Sequence, residues 1–172
     1  MERKAVSYDY KLTETLDLLR NPGLLLASTK SSGESNVMTI GWGTAGTVWS
    51  KPIFIVLVRP SRYTYEFIED SGVFTVNVPT EDLRRWVTIC GTRSGRDIDK
   101  FGQYDVSISP AKTIETVTID ACPLVYECEV VHYHDLVPAH LAPEIEAGSY
   151  GGSDYHRVYY GEIRGCYAAQ DY

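Results

Sequence analysis

The feature that most constrains the fold of this chain is a series of short apolar runs separated by turn-forming residues. The first three runs occupy 24–28, 36–48 and 53–59, and the segments SSGES and SKP divide them. Runs of this length between clusters of Gly, Ser and Pro predict β-strands, and we expect the first two to pair as a hairpin. The third run contains IFIVLV, which is apolar on both faces, so it predicts a strand deep in the sheet.

Three short helices are predicted between the strands. Leucines spaced by four and three residues before NPG predict the first helix over about 12–20. Ser61 is a candidate N-cap for the second helix, which is expected to end at Gly72. The third is expected to begin at Thr80 and to be closed by Gly91. Its apolar face is predicted to hold Leu83, Trp86, Val87 and Cys90.

The rest of the chain again reads as strands, over 73–79 and around VSIS, TVTI, LVYECEVVHYH and HRVYYGEIRG. A segment rich in Pro and Gly, VPAHLAPEIEAGSYGGSD, precedes the last of them. Strands and helices do not alternate regularly, which favours a closed antiparallel barrel over a doubly wound parallel sheet. We therefore expect one mainly β domain over residues 1–172.

Charge and hydropathy exclude several classes of partner. The chain has 16 basic and 23 acidic residues, a net charge of −7, which is the wrong sign for binding the phosphate backbone of nucleic acids. No apolar run approaches the roughly 20 residues that cross a bilayer, and the charged start MERKAVSYDYK lacks the apolar stretch of a signal peptide. We expect a cytoplasmic protein with neither nucleic acid nor membrane as a partner.

Cysteines and histidines give no clear metal signature. The four cysteines include one C-x5-C pair, a spacing that matches no common zinc or redox motif, so we interpret them as reduced thiols. His132 and His134 lie on one face of a predicted strand, but no third ligand stands at a clear spacing. We predict no metal site and retain a metal-binding β-barrel as an alternative.

The segment RPSRYT lies where a buried strand ends and a helix begins. Arg59, Ser61, Arg62 and Thr64 would bring guanidinium groups and hydroxyls to the free N–H groups of a helix start, which is the chemistry of a phosphate site. The alternative is that Ser61 only caps the helix and the arginines are solvated. The additional positive charges favour an anion.

The segment CGTRSGRDIDK is a second candidate. It places Arg93, Arg96 and Lys100 in an otherwise acidic chain, beside three small residues that give access to the backbone: Gly91, Ser94 and Gly95. A charged loop is more often simply a solvated loop. The two basic segments together favour an anion more strongly than either does alone.

The segment NVMTIGWGT contains two glycines inside a predicted strand. Glycine weakens a strand and often marks a bulge, or a place where a ligand or another backbone approaches closely. Gly41 and Gly43 therefore predict either a bend that closes a barrel strand or the close approach of a ligand.

These segments together resemble a known family. NVMTIGWGT, SKP, RPSRYTYE, VNVPTEDL, CGTRSGRDIDKFG, CPLVYECEV and DYHRVYYGEIRG are similar, in order and wording, to the flavin reductase-like family, and most of all to its flavoredoxin branch. The likeness runs from about Asn21 to Gly165. It implies an antiparallel, Greek-key, FMN-binding split β-barrel with short connecting helices, assembled as a homodimer with one flavin per subunit.

The resemblance also implies roles for individual residues. Six would pass the flavin ring: Met38, Thr39, Gly41, Trp42, Gly43 and Thr44. Eight would hold the ribityl phosphate or close the site: Arg59, Ser61, Arg62, Thr64, Gly91, Ser94, Gly95 and Lys100. His156 would face a nicotinamide or the ring, and the tyrosine-rich YGGSDYHRVYY is expected to narrow the pocket.

The function implied is that of an FMN-dependent oxidoreductase. Bound FMN would accept reducing equivalents from NAD(P)H or a protein donor and pass them to an acceptor. The alternative is a non-catalytic FMN electron carrier whose acidic surface docks on a protein partner.

Overall fold

β-strands form most of the regular structure in the computed structural model, which describes residues 2–170 and 172. The strands are β1 (Arg3–Ala5), β2 (Leu24–Thr29), β3 (Ser35–Ile40), β4 (Gly43–Val48), β5 (Lys51–Val58), β6 (Val73–Val78), β7 (Ile108–Pro110), β8 (Val117–Ile119), β9 (Leu124–Asp135) and β10 (Arg157–Ala169). The helices are α1 (Leu12–Arg20), α2 (Tyr63–Ser71), α3 (Arg84–Thr92) and α4 (Pro143–Ser149).

Eight strands form one antiparallel sheet. Its path is β3-β2-β6-β9-β10-β5-β4, with β1 added to β10, while β7 and β8 pair separately. The predicted hairpin is confirmed, since β2 and β3 pair from Leu24 opposite Ile40 to Thr29 opposite Ser35. The IFIVLV strand is also confirmed as internal, because β5 lies between β10 and β4.

The prediction of one strand over 36–48 is wrong, since Gly41 and Trp42 divide this run. Residues before them form β3 and residues after them form β4, and these strands stand at opposite ends of the sheet path. A flat sheet of seven strands would separate its end strands by roughly 29 Å, at about 4.8 Å per step. Two linking residues span only about 11 Å, so the sheet must curl until its ends meet. The predicted antiparallel barrel is therefore confirmed.

The predicted helices occur, with three corrections at their ends. Ser61 does not cap α2: the residue before the helix is Arg62, and no side chain caps it. Gly72 ends α2 in the left-handed conformation, with φ of 69°, as expected. Gly91 lies inside the last turn of α3, which ends at Thr92, and a short 3-10 turn precedes that helix. The predicted face of α3 is confirmed, with Trp86 and Cys90 buried.

Several elements were not predicted. β1 was missed, and so was α4 in the segment rich in Pro and Gly; β10 continues to Ala169, four residues beyond the predicted end. α4 buries no residue, so its sequence carries no apolar stripe to reveal it.

Two apolar clusters support the fold. One fills the barrel, with Phe54, Phe74 and Tyr126 among its fully buried members. The other packs α3 onto the outer face of the sheet through Trp86, Val87 and Cys90. All four cysteines are buried free thiols, and burial raises the pKa of Cys90 to about 12, so this thiol stays protonated at neutral pH.

The described residues contain neither a membrane-spanning helix nor a cluster of metal ligands. No helix over residues 2–170 and 172 has the length and apolar character of a membrane span. Across the same residues, no three His, Cys, Asp or Glu side chains gather as metal ligands would. His132 and His134 instead lie near Tyr160, with ring centroids 5.3 and 5.8 Å away.

Candidate functional site

Two adjoining cavities lie along β3, between the start of α2 and the end of α3. The first, of about 230 Å³, is lined by residues from both basic segments, among them Ser61, Arg62, Thr64, Gly91, Ser94, Gly95 and Lys100. The second, of about 140 Å³, is lined by Gly41, Trp42, Arg59 and His156, among others. Met38, Thr39 and Arg62 line both cavities, which we call together the β3 groove.

The β3 groove brings together most of the predicted site residues, but not all of them. Gly43 and Thr44 instead line a neighbouring hollow of about 430 Å³ beside α1, which shares Gly41 and Trp42 with the groove. Gly43 also has a structural reason to be glycine, because a Cβ there would lie 2.5 Å from the carbonyl oxygen of Ile55 on the neighbouring strand. Its close approach is therefore to another backbone.

The free edge of β3 forms the floor of the groove. Among residues 2–170 and 172, β3 pairs with β2 alone, so its other edge carries backbone groups without a strand partner. The carbonyl of Val37 on this edge accepts a hydrogen bond from Lys100. Because the direction of backbone groups alternates along a strand, the N–H and C=O of Thr39 point to the same edge. They are available to a ligand with polar atoms along one side.

Two glycines let the α3 end and its following loop lie close to β3. A Cβ on Gly91 would stand 3.3 Å from Cβ of Thr39, and one on Gly95 would overlap the amide oxygen of Asn36. The hydroxyl of Thr39 donates to the carbonyl of Val87 at 2.5 Å, which ties the helix to the strand. Only small residues permit this narrow separation.

At the end of the groove that the two basic segments form, two arginines have no side-chain partner among the described residues. Arg62 and Arg93 line it, and within the part of the chain that the structure describes their guanidinium groups make no side-chain hydrogen bond and no ion pair. The buried hydroxyl of Thr64 accepts a hydrogen bond of 2.9 Å from the Asn36 amide and keeps its own proton as a donor. These groups can bind an anion directly.

Lys100 supports the groove from beneath. Its ammonium is buried and donates to the carbonyls of Val37 at 2.7 Å and Cys90 at 3.2 Å. Burial lowers the pKa of Lys100, while these two carbonyls compensate part of the lost hydration. The main role of Lys100 is therefore to hold the loop against β3 and α3. Its charge also adds to the positive potential of the groove.

Arg59 and Ser61 are engaged by a partner that the sequence did not indicate. The carboxylate of Asp154 accepts hydrogen bonds from the Ser61 hydroxyl at 2.6 Å and its N–H at 3.2 Å. Arg59 donates to the carbonyls of Ser149 and Asp154 at 2.6 and 3.1 Å. The anion-binding chemistry expected of this turn is present, but an internal carboxylate occupies it.

The other end of the groove is aromatic. The ring centroid of His156 lies 4.9 Å from that of Trp42, and the Tyr150 hydroxyl is 2.9 Å from Nδ1 of His156. Burial, followed by the charge of Arg59, lowers the pKa of His156 to about 4, so its imidazole is neutral at pH 7. Tyr150 was not predicted individually, although the tyrosine-rich segment pointed to this region.

An antiparallel barrel with a groove that is cationic at one end and aromatic at the other has the chemistry to hold a flat, phosphorylated small molecule. A search of family models agrees: residues 20–171 match the model "Flavin reductase like domain". The chain belongs to the flavin reductase-like family.

Individual relatives and solved structures agree with this family. The chain is 30% identical over 128 residues to an uncharacterized protein of Archaeoglobus fulgidus, a match covering 74% of this chain and 62% of that one. It is similar to a flavoredoxin from Methanosarcina acetivorans, with a TM-score of 0.67 at 27% identity over 87% of this chain and 70% of the other.

A third match is an FMN-binding domain of a flavin reductases-like enzyme from Shewanella baltica. Its TM-score is 0.68 at 23% identity, covering 97% of this chain and 77% of that one. The split β-barrel expected from the sequence is thereby confirmed. The chain spans between 48% and 62% of the length of the curated relatives it matches.

Proposed function

We propose that the β3 groove binds FMN and that the protein is an FMN-dependent oxidoreductase. The observation that carries this proposal is the order of groups along the groove: two arginines with no side-chain partner among the described residues, then the free edge of β3, then Trp42 and His156. FMN has the same order, with a phosphate, a ribityl chain and a flat ring with one polar edge. The two cavities together reach the volume typical of small-ligand pockets, about 300–1,000 Å³.

Different residues would bind the different parts of this cofactor. Arg62 and Arg93 would neutralise the phosphate, with Ser94 and Gly95 offering donors from the loop. The free edge at Thr39 would meet the polar edge of the ring. Trp42 and the neutral imidazole of His156 would border the ring and limit water beside it. No binding group here has to act as an acid or base.

Bound FMN would supply the redox chemistry, accepting reducing equivalents from NAD(P)H or a protein donor and passing them to an acceptor. The protein would contribute orientation, phosphate binding and the electrostatics near the ring. The name of one structural neighbour, an FMN-binding domain, supports FMN over other flavins. The same proposal includes a cytoplasmic homodimer.

Comparing FMN with riboflavin tests the assignment of the phosphate end. Arg62→Ala should weaken FMN by about ten- to a hundredfold, the equivalent of about 1.5–3 kcal/mol for hydrogen bonds to a charged group. Riboflavin, which lacks the phosphate, should lose less than about threefold. Arg85→Ala is a matched control, since this exposed arginine lies on α3 outside the groove. Equal losses for both flavins would contradict the assignment.

Anaerobic mixing with NADH or NADPH tests the activity. Rapid bleaching of the protein-bound flavin is expected for a reductase. Indifference to both nucleotides would refute NAD(P)H as the donor and favour the electron carrier, for which the net charge of −7 suits docking on a basic partner.

A further inference from the structure

The segment from Ser149 to His156 is attached to the turn that follows β5 by several hydrogen bonds. The Asp154 carboxylate accepts hydrogen bonds from both the hydroxyl and the N–H of Ser61, and Arg59 Nη1 lies 3.7 Å from its Oδ2. Partial burial raises the pKa of Asp154, but the hydrogen bonds from Ser61 and the nearby Arg59 outweigh this effect and lower it. Asp154 is therefore ionised at neutral pH and bound as a carboxylate.

Arg59 holds the start of the same segment. Its guanidinium donates to the Ser149 carbonyl and lies 5.1 Å from the centroid of the Tyr150 ring. Between the two attached points, Gly151 and Gly152 have φ of 59° and 90°, and Asp154 itself has φ of 53°. A non-glycine residue with positive φ is unfavourable without compensating contacts. The bonds of Asp154 supply that compensation.

The attached segment carries the aromatic end of the groove. Tyr150 is buried, stacks on Tyr155 at 4.9 Å and makes its hydrogen bond with Nδ1 of His156. His156 in turn lines the cavity beside Trp42. The contacts run from Asp154 through Arg59 and Tyr150 to the His156 ring, which lines the groove.

We propose that Asp154 is a positioning residue: by binding Arg59 and Ser61 it fixes Tyr150 and His156 as the wall of the flavin groove. This inference rests on the proposed function, because the wall matters for the ligand that the groove binds. It also gives the residues of the RPSR turn, 59–62, different roles: Arg59 and Ser61 hold the wall, while Arg62 faces the phosphate.

A competing arrangement would make Asp154 a stand-in for the phosphate, displaced when the cofactor binds. Two contacts argue against it. Arg59 donates to two backbone carbonyls of the segment, and a phosphate displacing Asp154 would leave both without that donor. Arg62 and Arg93, in contrast, have no side-chain partner among the described residues and need none displaced.

The first test uses the flavin-free protein, so it does not depend on the proposed function. Asp154→Ala should speed hydrogen exchange of the amides in 149–155 by at least about tenfold. It should also move the pKa of His156, measured by NMR titration, toward its ordinary value of 6.5, because the gain in hydration outweighs the loss of the nearby Asp154 charge, which raises that pKa. Glu144→Ala, which removes an equal charge from exposed α4, should change neither.

The second test adds FMN and riboflavin. Asp154→Ala should leave the ratio of their affinities within about threefold of the wild-type value and raise the iodide quenching constant of bound flavin severalfold. Tighter FMN binding with unchanged riboflavin binding would overturn the proposal in favour of the stand-in role. Unchanged exchange and unchanged His156 titration would overturn it as well.

Two controls complete the design. If Asp154→Ala folds poorly, Asp154→Asn, which keeps the shape and loses the charge, should give the same changes in smaller measure, and its failure to do so counts against the proposal. A wild-type protein that binds neither flavin refutes the proposed function, while the exchange and titration results still decide the role of Asp154.

Discussion

Gly43→Ala compared with Gly41→Ala tests whether these glycines serve the barrel or a ligand. Gly43 pairs with Val56 in the β4–β5 ladder, and a Cβ there would lie 2.5 Å from the Ile55 carbonyl oxygen. That oxygen belongs to the backbone of an internal strand and cannot move without disturbing the sheet. At Gly41 the nearest atom to an added Cβ is the Leu19 carbonyl oxygen at 3.8 Å, which is ordinary contact.

The expected loss of stability differs between the two glycines because only Gly43 lacks space for a Cβ. Overpacking of this kind costs about 1–3 kcal/mol. For a domain of this size each kcal/mol lowers the melting temperature by about 2–4 °C, so Gly43→Ala should melt about 2–12 °C below the wild type. Gly41→Ala should stay within about 1 kcal/mol of the wild type, since an alanine fits there and also restricts the unfolded chain.

Thermal and urea denaturation of both flavin-free variants measure this difference. Equal stability of the two variants would refute the reasoning. A Gly43→Ala protein that melts like the wild type but loses FMN would refute it in a more specific way, because it would place the close approach at a ligand and not at β5.

Two further predictions concern buried titratable groups. Since the pKa of His156 falls from 6.5 to about 4 on folding, the unfolded chain binds more protons between these values, and stability should fall by up to about 3 kcal/mol as the pH drops from 6.5 to 4. Urea denaturation at several pH values should show that His156→Gln loses this component, whereas an identical pH profile for the two proteins would contradict it. Lys100→Met should cost about 2–3 kcal/mol in the same assay, because it leaves buried carbonyls without a donor; Lys4→Met, at an exposed lysine, is the control, and an equal loss would count against the assigned role.

The parts of the fold that the sequence predicted are those with a local pattern. Apolar runs, helical spacing and Gly72 indicate the strands β2, β5 and β6 and the three connecting helices. The glycines in 36–48 predict a bend but not a division into two strands, since both halves suit a strand and only their different partners, β2 and β5, separate them. Pairing partners are a property of the whole sheet, which is why the break at Gly41 and Trp42 was missed.

The site shows the same division between local and non-local information. Glycine and charge in two short segments predict an anion site formed by both, and the structure brings these two segments together at one cavity. The partner of Ser61 did not follow from them, because Asp154 stands 93 residues away and one aspartate in a loop rich in Gly looks like any other. The tyrosine-rich segment was noticed, but the contact of Tyr150 with His156 depends on how that segment is fastened to the barrel.

The place of the groove follows from how this barrel closes. Joining the two end strands through Gly41 and Trp42 brings β3 and β4 to one side of the molecule without pairing them, so β3 keeps a free edge there. An uncovered edge invites pairing with other chains, and proteins commonly cover it with a helix or loop. Here α3 and its following loop cover β3, at the close distance that Gly91 and Gly95 permit. The narrow space left between strand and loop is the β3 groove, so the glycines that let the loop cover this edge also shape the candidate ligand site.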